Sequence, residues 1–308
     1  MRFYKYHGAG NDFLIADNRD GHLTEKDGVL TAVLQDGKLW SRSVAELCDR
    51  RYGVGADGLM LLETARRCDS YDNNDSVQAD FRMVYFNSDG SGGMMCGNGG
   101  RCIVSFAADM GVQPSGMDST YLFEAADGLH SARILKAEKG VKIVRLKMKD
   151  VQEAFEYEKL TGVSCPSDGW FLDTGTRHFV RHVKGLDTYN IKAEGREIRY
   201  GADELKPIGA NVNFIEPEGG VLKVRTYEKG VEDETFACGT GIVASAIAAY
   251  LSGISPSSAC KDSLRYDIKA LRDDLCVEFI PDNSERHVAV EVYLTGPSAH
   301  IAEINFED

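Results

Sequence analysis

The 308-residue chain is long enough for about two domains, and 43% hydrophobic with 27% charged residues is an ordinary globular composition. A formal net charge of -13 argues against nucleic acid and anionic membrane as partners, because either would repel the chain and the arginine pairs at 50–51 and 66–67 are too isolated to form a basic patch. Eight cysteines behind an N-terminus with no apolar signal run point to reduced thiols in the cytosol.

In chain order, residues 3–16 alternate around Gly8-Ala9-Gly10 and predict a strand, turn and strand. Residues 44–51 predict a short helix with Ser43 as its N-cap, and 59–62 a buried strand. The polar stretch 66–78 reads as a surface insertion. A strand over 81–85 leads into Cys96-Gly97-Asn98-Gly99, which opens an apolar helix. Strands at 121–126 and 129–136 flank an Asp127-Gly128 turn, and another is expected at 141–148, with a domain boundary near 137–140. The second half predicts strands at 170–172, 179–183, 212–215 and 221–227, a helix from Cys238, and closing strands at 275–280, 288–294 and 299–305. The stretch 237–254 is the most membrane-like, but Gly239, Thr240, Gly241 and Gly253 interrupt it, so a buried helix is expected.

This order contains a repeat. Met95-Cys96-Gly97-Asn98-Gly99 matches Ala237-Cys238-Gly239-Thr240-Gly241, each followed by small and apolar residues at helical spacing. Tyr85 and Tyr227 stand at the same distance before the two cysteines. Gly55-Ala56-Asp57 matches Gly209-Ala210-Asn211, and the stretch from Ala9 to Ile15 matches that from Thr174 to Val180. Two copies of one α/β unit are expected, each delivering one thiol at a helix entrance.

A cysteine at a helix start is biased towards the thiolate, and neighbouring glycine N–H groups can hold a carboxylate. Two such entrances facing each other would place a sulfur on either side of the carbon next to that carboxylate. Zinc is a poor reading, since neither turn has a second ligand two to four residues away. His178 and His182, four apart on a strand, would stand roughly 13 Å apart and cannot share an ion. The glycine-rich run from Gly53 to Gly58 fits a dinucleotide pattern but lies before a strand rather than after one, which excludes a nucleotide site. Cys48, Cys68, Cys165, Cys260 and Cys276 lack such a context and read as structural. Other readings left open are a single-cysteine hydrolase using His178 and a non-catalytic binding protein.

The chain resembles the diaminopimelate epimerases, amino-acid racemases that use no pyridoxal phosphate. The resemblance rests on His7-Gly8-Ala9-Gly10-Asn11-Asp12-Phe13, Gly55-Ala56-Asp57-Gly58, Phe86-Asn87-Ser88-Asp89-Gly90-Ser91, Cys96-Gly97-Asn98-Gly99-Gly100-Arg101-Cys102, Tyr227-Glu228-Lys229-Gly230 and Ala237-Cys238-Gly239-Thr240-Gly241. It implies an α/β fold (of the α+β kind) of two pseudo-symmetric domains, each a strand set around a central helix: 1–138 plus 296–308, and 139–295. It implies Cys96 and Cys238 as acid/base residues, with His178 and Glu228 tuning them, and a substrate held by Asn11, Asn87, Asn98, Asn211, Glu228, Lys229 and the backbone at Gly97, Gly239 and Thr240. It also implies diaminopimelate as substrate, no cofactor or metal, a cytoplasmic setting and a homodimer. Three departures stand out: Lys229 in place of the usual arginine, Thr176-Arg177 in place of Asn-Pro or Ser-Pro, and Gly58 in place of glutamine. Arg177, by adjacency to His178, is a candidate for part of the carboxylate binding. A racemase of the same design acting on another amino acid is the nearest alternative.

Overall fold

A computed structural model describes residues 1–65, 78–93, 95–164, 168–282 and 287–306. The expected surface insertion at 66–78 lies outside these residues except for Gln78, as do Cys68 and Cys165. The chain divides into two compact units, Met1–Leu146 with Pro297–Asp308, and Lys147–Gly296. The division falls after Leu146 rather than near 137–140, because Lys139 and Gly140, both at positive φ, make the tight turn of a hairpin internal to the first unit.

The first unit contains β1 (Arg2–Gly8), β2 (Asn11–Asp17), a small separate sheet of β3 (Thr24–Lys26), β4 (Val29–Val33) and β5 (Leu39–Ser43), and α1 (Val44–Cys48). It continues with β6 (Gly58–Glu63), β7 (Phe81–Asn87), α2 (Gly97–Asp109), β8 (Thr120–Ala125), β9 (Gly128–Glu138) and β10 (Val141–Lys147). The strands join in the order β1-β2-β6-β7-β8-β9-β10, and the last strand of the chain pairs with β10 and, between residues 299 and 305, with β1, so the ring closes. Closure leaves no edge exposed. It also encloses α2, whose residues from Gly97 to Ala107 are all buried.

The second unit contains β11 (Ala154–Tyr157), β12 (Gly169–Asp173), β13 (Arg177–His182), α3 (Ile191–Gly201), β14 (Asn211–Glu218), β15 (Val221–Glu228) and β16 (Asp233–Thr235). It ends with α4 (Gly239–Leu251), β17 (Ser258–Cys260), β18 (Ser263–Lys269), β19 (Asp274–Pro281) and the first part of β20 (Ala289–Asn305). The expected strands at 288–294 and 299–305 are thus one strand, which the boundary at Gly296 and Pro297 divides between the units. Its neighbours run β11-β12-β13-β14-β15-β18-β19-β20. They enclose α4, which is apolar nearly all round, as a helix contacted on every side must be.

Counting from β1 and from β12, both units show the same succession of pairings: antiparallel, parallel, antiparallel, parallel, antiparallel, antiparallel. The register corrects the sequence alignment in two places. The β1–β2 turn is Ala9-Gly10, whereas the β12–β13 turn is one residue longer, Thr174-Gly175-Thr176, so Asp12 rather than Phe13 occupies the place of His178. Gly58 pairs with Asn87 where Val212 pairs with Tyr227, so Asn87, not Tyr85, is the counterpart of Tyr227.

The sequence reading missed α3. Gly195 interrupts its pattern, and the structure explains the glycine: a Cβ there would lie 2.4 Å from the Tyr227 Cβ. Helix α1 stops three residues short of expectation because the Asp49 carboxylate accepts from the Arg51 and Tyr52 N–H groups, both at 2.7 Å, and turns the chain. Its start is a full capping box, with Glu46 N–H donating to Ser43 Oγ at 3.1 Å and Ser43 N–H donating to Glu46 Oε2 at 3.0 Å. The turn between β8 and β9 is Ala126-Asp127, and Gly128 already pairs within β9.

Candidate active site

In the first unit the ends of β1 and β7 and the starts of β2, β6 and α2 come together. Cys96 is the N-cap of α2, and its sulfur accepts from the Gly99 N–H at 3.1 Å. Three glycines in the first turn make this a poor helix start by propensity, at about 1 kcal/mol each relative to alanine. Packing explains two of them: a Cβ at Gly99 would meet Cys96 Sγ at 3.2 Å, and one at Gly100 the Leu146 side chain at 3.0 Å. Gly8 at the end of β1 is equally tight, since a Cβ there would be 2.9 Å from the Asn98 carbonyl oxygen. Gly8 pairs with Asn11, which brings Asn11 beside the first turn of α2.

Arg101, fully buried, fixes that turn from beneath by donating to Asn98 Oδ1 at 2.8 Å, to the Gly97 carbonyl at 3.2 Å and to the Pro297 carbonyl at 3.4 Å. Asn11 donates to Asp57 Oδ2 at 2.9 Å, and Asn87 to Ser91 Oγ at 2.9 Å. Asp12, next along β2, receives Arg50 at 2.6 Å and Lys5 at 2.8 Å, while Arg50 also reaches Asp57 at 2.7 Å. Burial opposes ionisation of Asp12, but the hydrogen bonds and charges of Arg50 and Lys5 prevail and hold its carboxyl at about 2. Cys102, six residues on from Cys96, is pushed up to about 12 by burial, as is Cys48, so neither is a thiolate at neutral pH.

The second unit repeats this arrangement with different chemistry. Cys238 is the N-cap of α4 and lies 3.4 Å from Thr240 Oγ1. His178, fully buried at the start of β13, has its Nε2 3.0 Å from Thr240 Oγ1 and 2.9 Å from Thr176 Oγ1. Its Nδ1 faces Asn213 Nδ2 at 3.1 Å. Asn213 is oriented by Thr226, whose hydroxyl donates to its Oδ1 at 2.9 Å. Gly241 makes this assembly possible, because a Cβ there would lie 2.4 Å from Asn213 Oδ1 and 3.2 Å from the imidazole. Burial lowers His178 to about 3, so the ring is neutral at physiological pH. A buried ring that resists protonation until about 3 is a weak base, which counts against the hydrolase reading.

Asn211 spends its amide on the backbone, accepting from the Lys229 N–H at 2.8 Å and donating to the Arg177 carbonyl at 3.2 Å. Glu228 accepts from the Thr235 hydroxyl at 2.8 Å, and Lys229 projects from an exposed turn. Gly239 and Thr240 open α4, and the Thr240 carbonyl receives the Thr174 hydroxyl at 2.9 Å. Arg177 does not join this group. It alternates with His178 along β13 and so lies on the opposite face, with its guanidinium over the Phe171 ring at 4.9 Å and near the Leu205 carbonyl. The adjacency that suggested a carboxylate role is a sequence neighbourhood that the pleat separates.

Sequence reading did not find Thr176, Asn213 and Thr226, nor the supports Lys5, Arg50, Asp57 and Arg101. One signal was available. Asn211 and Asn213 are polar residues two apart in an apolar strand, so both face the buried side, where an amide needs partners. Among the described residues no helix is long and apolar enough to cross a membrane, and no group of three or more His, Cys, Asp and Glu could hold a metal ion.

The Diaminopimelate epimerase family model matches residues 3–149. Diaminopimelate epimerase of Flavobacterium psychrophilum is 38% identical over 304 residues, covering 98% of this chain and 99% of that one. The chain belongs to the diaminopimelate epimerase family. The enzyme of that name from Chlorobaculum tepidum is also 38% identical, over 94% of this chain and 95% of its own. Among solved structures, a Bacillus anthracis phenazine biosynthesis protein of the PhzF family matches with a TM-score of 0.66 at 15% identity, over 100% of this chain and 99% of that one. A hydroxyproline epimerase from Agrobacterium vitis matches with a TM-score of 0.64 at 16% identity, over 99% and 91%. These two likenesses are of fold, and they agree with the two-unit architecture inferred for the family.

Proposed function

We propose that the chain is an isomerase that interconverts LL- and meso-diaminopimelate, with Cys96 and Cys238 exchanging the α-proton. The observation that carries this reading is the repeat itself: in each unit, at the same place in the same pairing order, a cysteine caps a buried helix whose glycine-rich first turn presents N–H groups. In the reaction the thiolate of one cysteine takes the proton as the Cα–H bond breaks, and the thiol of the other delivers a proton to the opposite face. The electron pair left on Cα is delocalised into the carboxylate, and hydrogen bonds from the helix N-termini to that carboxylate stabilise the developing charge. The backbone N–H groups of Gly97, Gly239 and Thr240 are suited to this, with Asn11, Asn87, Asn98 and Asn211 bounding the substrate. Glu228 suits an ammonium group, and Lys229 keeps the positive charge for a carboxylate while giving up the planar fork of arginine. No prosthetic group is required by this scheme, and the family resemblance brings with it a homodimer and a cytosolic setting.

The test is proton NMR of LL-diaminopimelate with the purified, reduced protein in deuterium oxide, with no pyridoxal phosphate added. Loss of the α-proton signal and appearance of the meso isomer are expected. Cys96→Ala and Cys238→Ala should each lower the rate by roughly 10²–10⁴-fold, the range of a lost acid or base. Exchange with lysine, histidine or proline but none with diaminopimelate would overturn the substrate assignment, and unaltered exchange in either variant would overturn the two-thiol mechanism.

A further inference from the structure

His178 has two polar neighbourhoods, and they are not equivalent. On one side its Nδ1 meets the Asn213 amide nitrogen at 3.1 Å, and an amide nitrogen can only donate. That amide is held in this orientation by Thr226 at its oxygen and, more distantly, by the Phe179 carbonyl at 3.4 Å from its nitrogen. All four groups are buried, and Asn213 itself is 0% exposed. On the other side Nε2, Thr176 Oγ1 and Thr240 Oγ1 form a triangle with edges of 2.9, 3.0 and 3.1 Å, whose Thr240 corner lies 3.4 Å from Cys238 Sγ.

A neutral imidazole carries one N–H. Because Nδ1 must accept from Asn213, that hydrogen sits on Nε2, which therefore donates into the triangle. A ring of the opposite tautomer would present a lone pair at Nε2 and draw the Thr240 hydroxyl hydrogen to itself. With Nε2 as donor, the Thr240 hydroxyl is freed to donate to the sulfur, and a donor to sulfur favours the thiolate.

We propose that Asn213, with Thr226 behind it, is a positioning residue that locks His178 in the Nε2–H tautomer and thereby aims the Thr240 hydroxyl at Cys238. His178 then acts on the thiol through Thr240, as a fixed donor rather than as a proton acceptor. The inference rests on the reading of Cys238 as an acid/base thiol, but its test uses no substrate, so the two can fail separately.

The first measurement is the ¹⁵N chemical shift pair of His178 in the intact wild-type protein, assigned by comparison with His178→Gln. A protonated Nε2 and an unprotonated Nδ1 are expected, and the reverse pattern overturns the proposal without any variant having to fold. The second is the rate at which iodoacetamide alkylates Cys238 at pH 7, followed by mass spectrometry in a Cys96→Ala background. Thr240→Val should slow alkylation about tenfold, as expected for a thiol raised by one unit, and Thr240→Ser should restore it. Asn213→Asp, whose carboxylate accepts from Nδ1–H and reverses the tautomer, should slow it as much, with little further loss when combined with Thr240→Val. Fully additive losses, or an unchanged rate in Thr240→Val, would overturn the coupling through the hydroxyl.

Discussion

The two units share a pairing order and a cysteine-capped central helix, yet they support that helix entrance by opposite means. In the first, the position that pairs beside the entrance is Asp12, ionised and held by Arg50 and Lys5. In the second, the same position is His178, neutral and held by an amide and two hydroxyls. A charged network tolerates water at its rim, and Arg50 is 57% exposed along its side chain. The neutral network is closed off on its inner side, where His178, Asn213 and Thr226 are all buried, and meets solvent at Thr176. The difference shows that one backbone plan fixes where a thiol stands while leaving its electrostatic surroundings to a few side chains.

That contrast can be broken at its most crowded point. Gly241→Ala places a methyl 2.4 Å from Asn213 Oδ1, so the neutral network must shift. A loss of about 1–3 kcal/mol is expected in urea unfolding. Gly99→Ala, against the sulfur at 3.2 Å, gains helix propensity in return and should cost less than about 1 kcal/mol. Equal costs at the two sites would refute the distinction.

Acid unfolding sharpens the electrostatic side. The folded-state value of Asp12, about 2, is below its ordinary 3.8, so its contribution is complete above about pH 4 and is lost as the pH falls towards 2. Asp12→Asn should therefore lose about 2 kcal/mol at neutral pH, with the gap to wild type closing through that window. A gap that stays constant with pH would show that the ion pairs contribute nothing specific.

His178 has the opposite origin but the same sign. The unfolded chain takes up a proton near 6.5, whereas the folded ring resists until about 3, so wild-type stability should fall as the pH drops through that interval. His178→Gln lacks this slope, and the difference between the two curves isolates it; parallel curves would mean that the ring is charged in the folded state. A modest effect is expected from Ser43→Ala, which removes the α1 cap for about 1 kcal/mol of stability. It should leave isomerase turnover unchanged, as turnover under saturating substrate would show.

Much of this was legible in the chain. Buried helices announce themselves by small apolar residues after a glycine turn, and both α2 and α4 begin where that pattern begins. Strand ends were less legible, since the join of 288–294 and 299–305 into one strand runs through Gly296-Pro297, a pair that ordinarily marks a break. The helix α3 was hidden because its glycine answers to Tyr227, a residue thirty-two positions away. The tyrosine match at equal distance before each cysteine was coincidental in register, because loop lengths between β7 and α2 and between β15 and α4 differ.

The sequence by itself determined the duplicated plan, the two helix-capping cysteines and the family, because these reside in local patterns of glycine, cysteine and apolar spacing. Tertiary structure alone decided which side chains surround each thiol. Asp12 and His178 became counterparts only through a one-residue difference in turn length, and Arg177 was turned away from the site by the strand's alternation. Hydrogen bonds across paired strands depend on register, and register is set by long-range pairing that no local pattern contains.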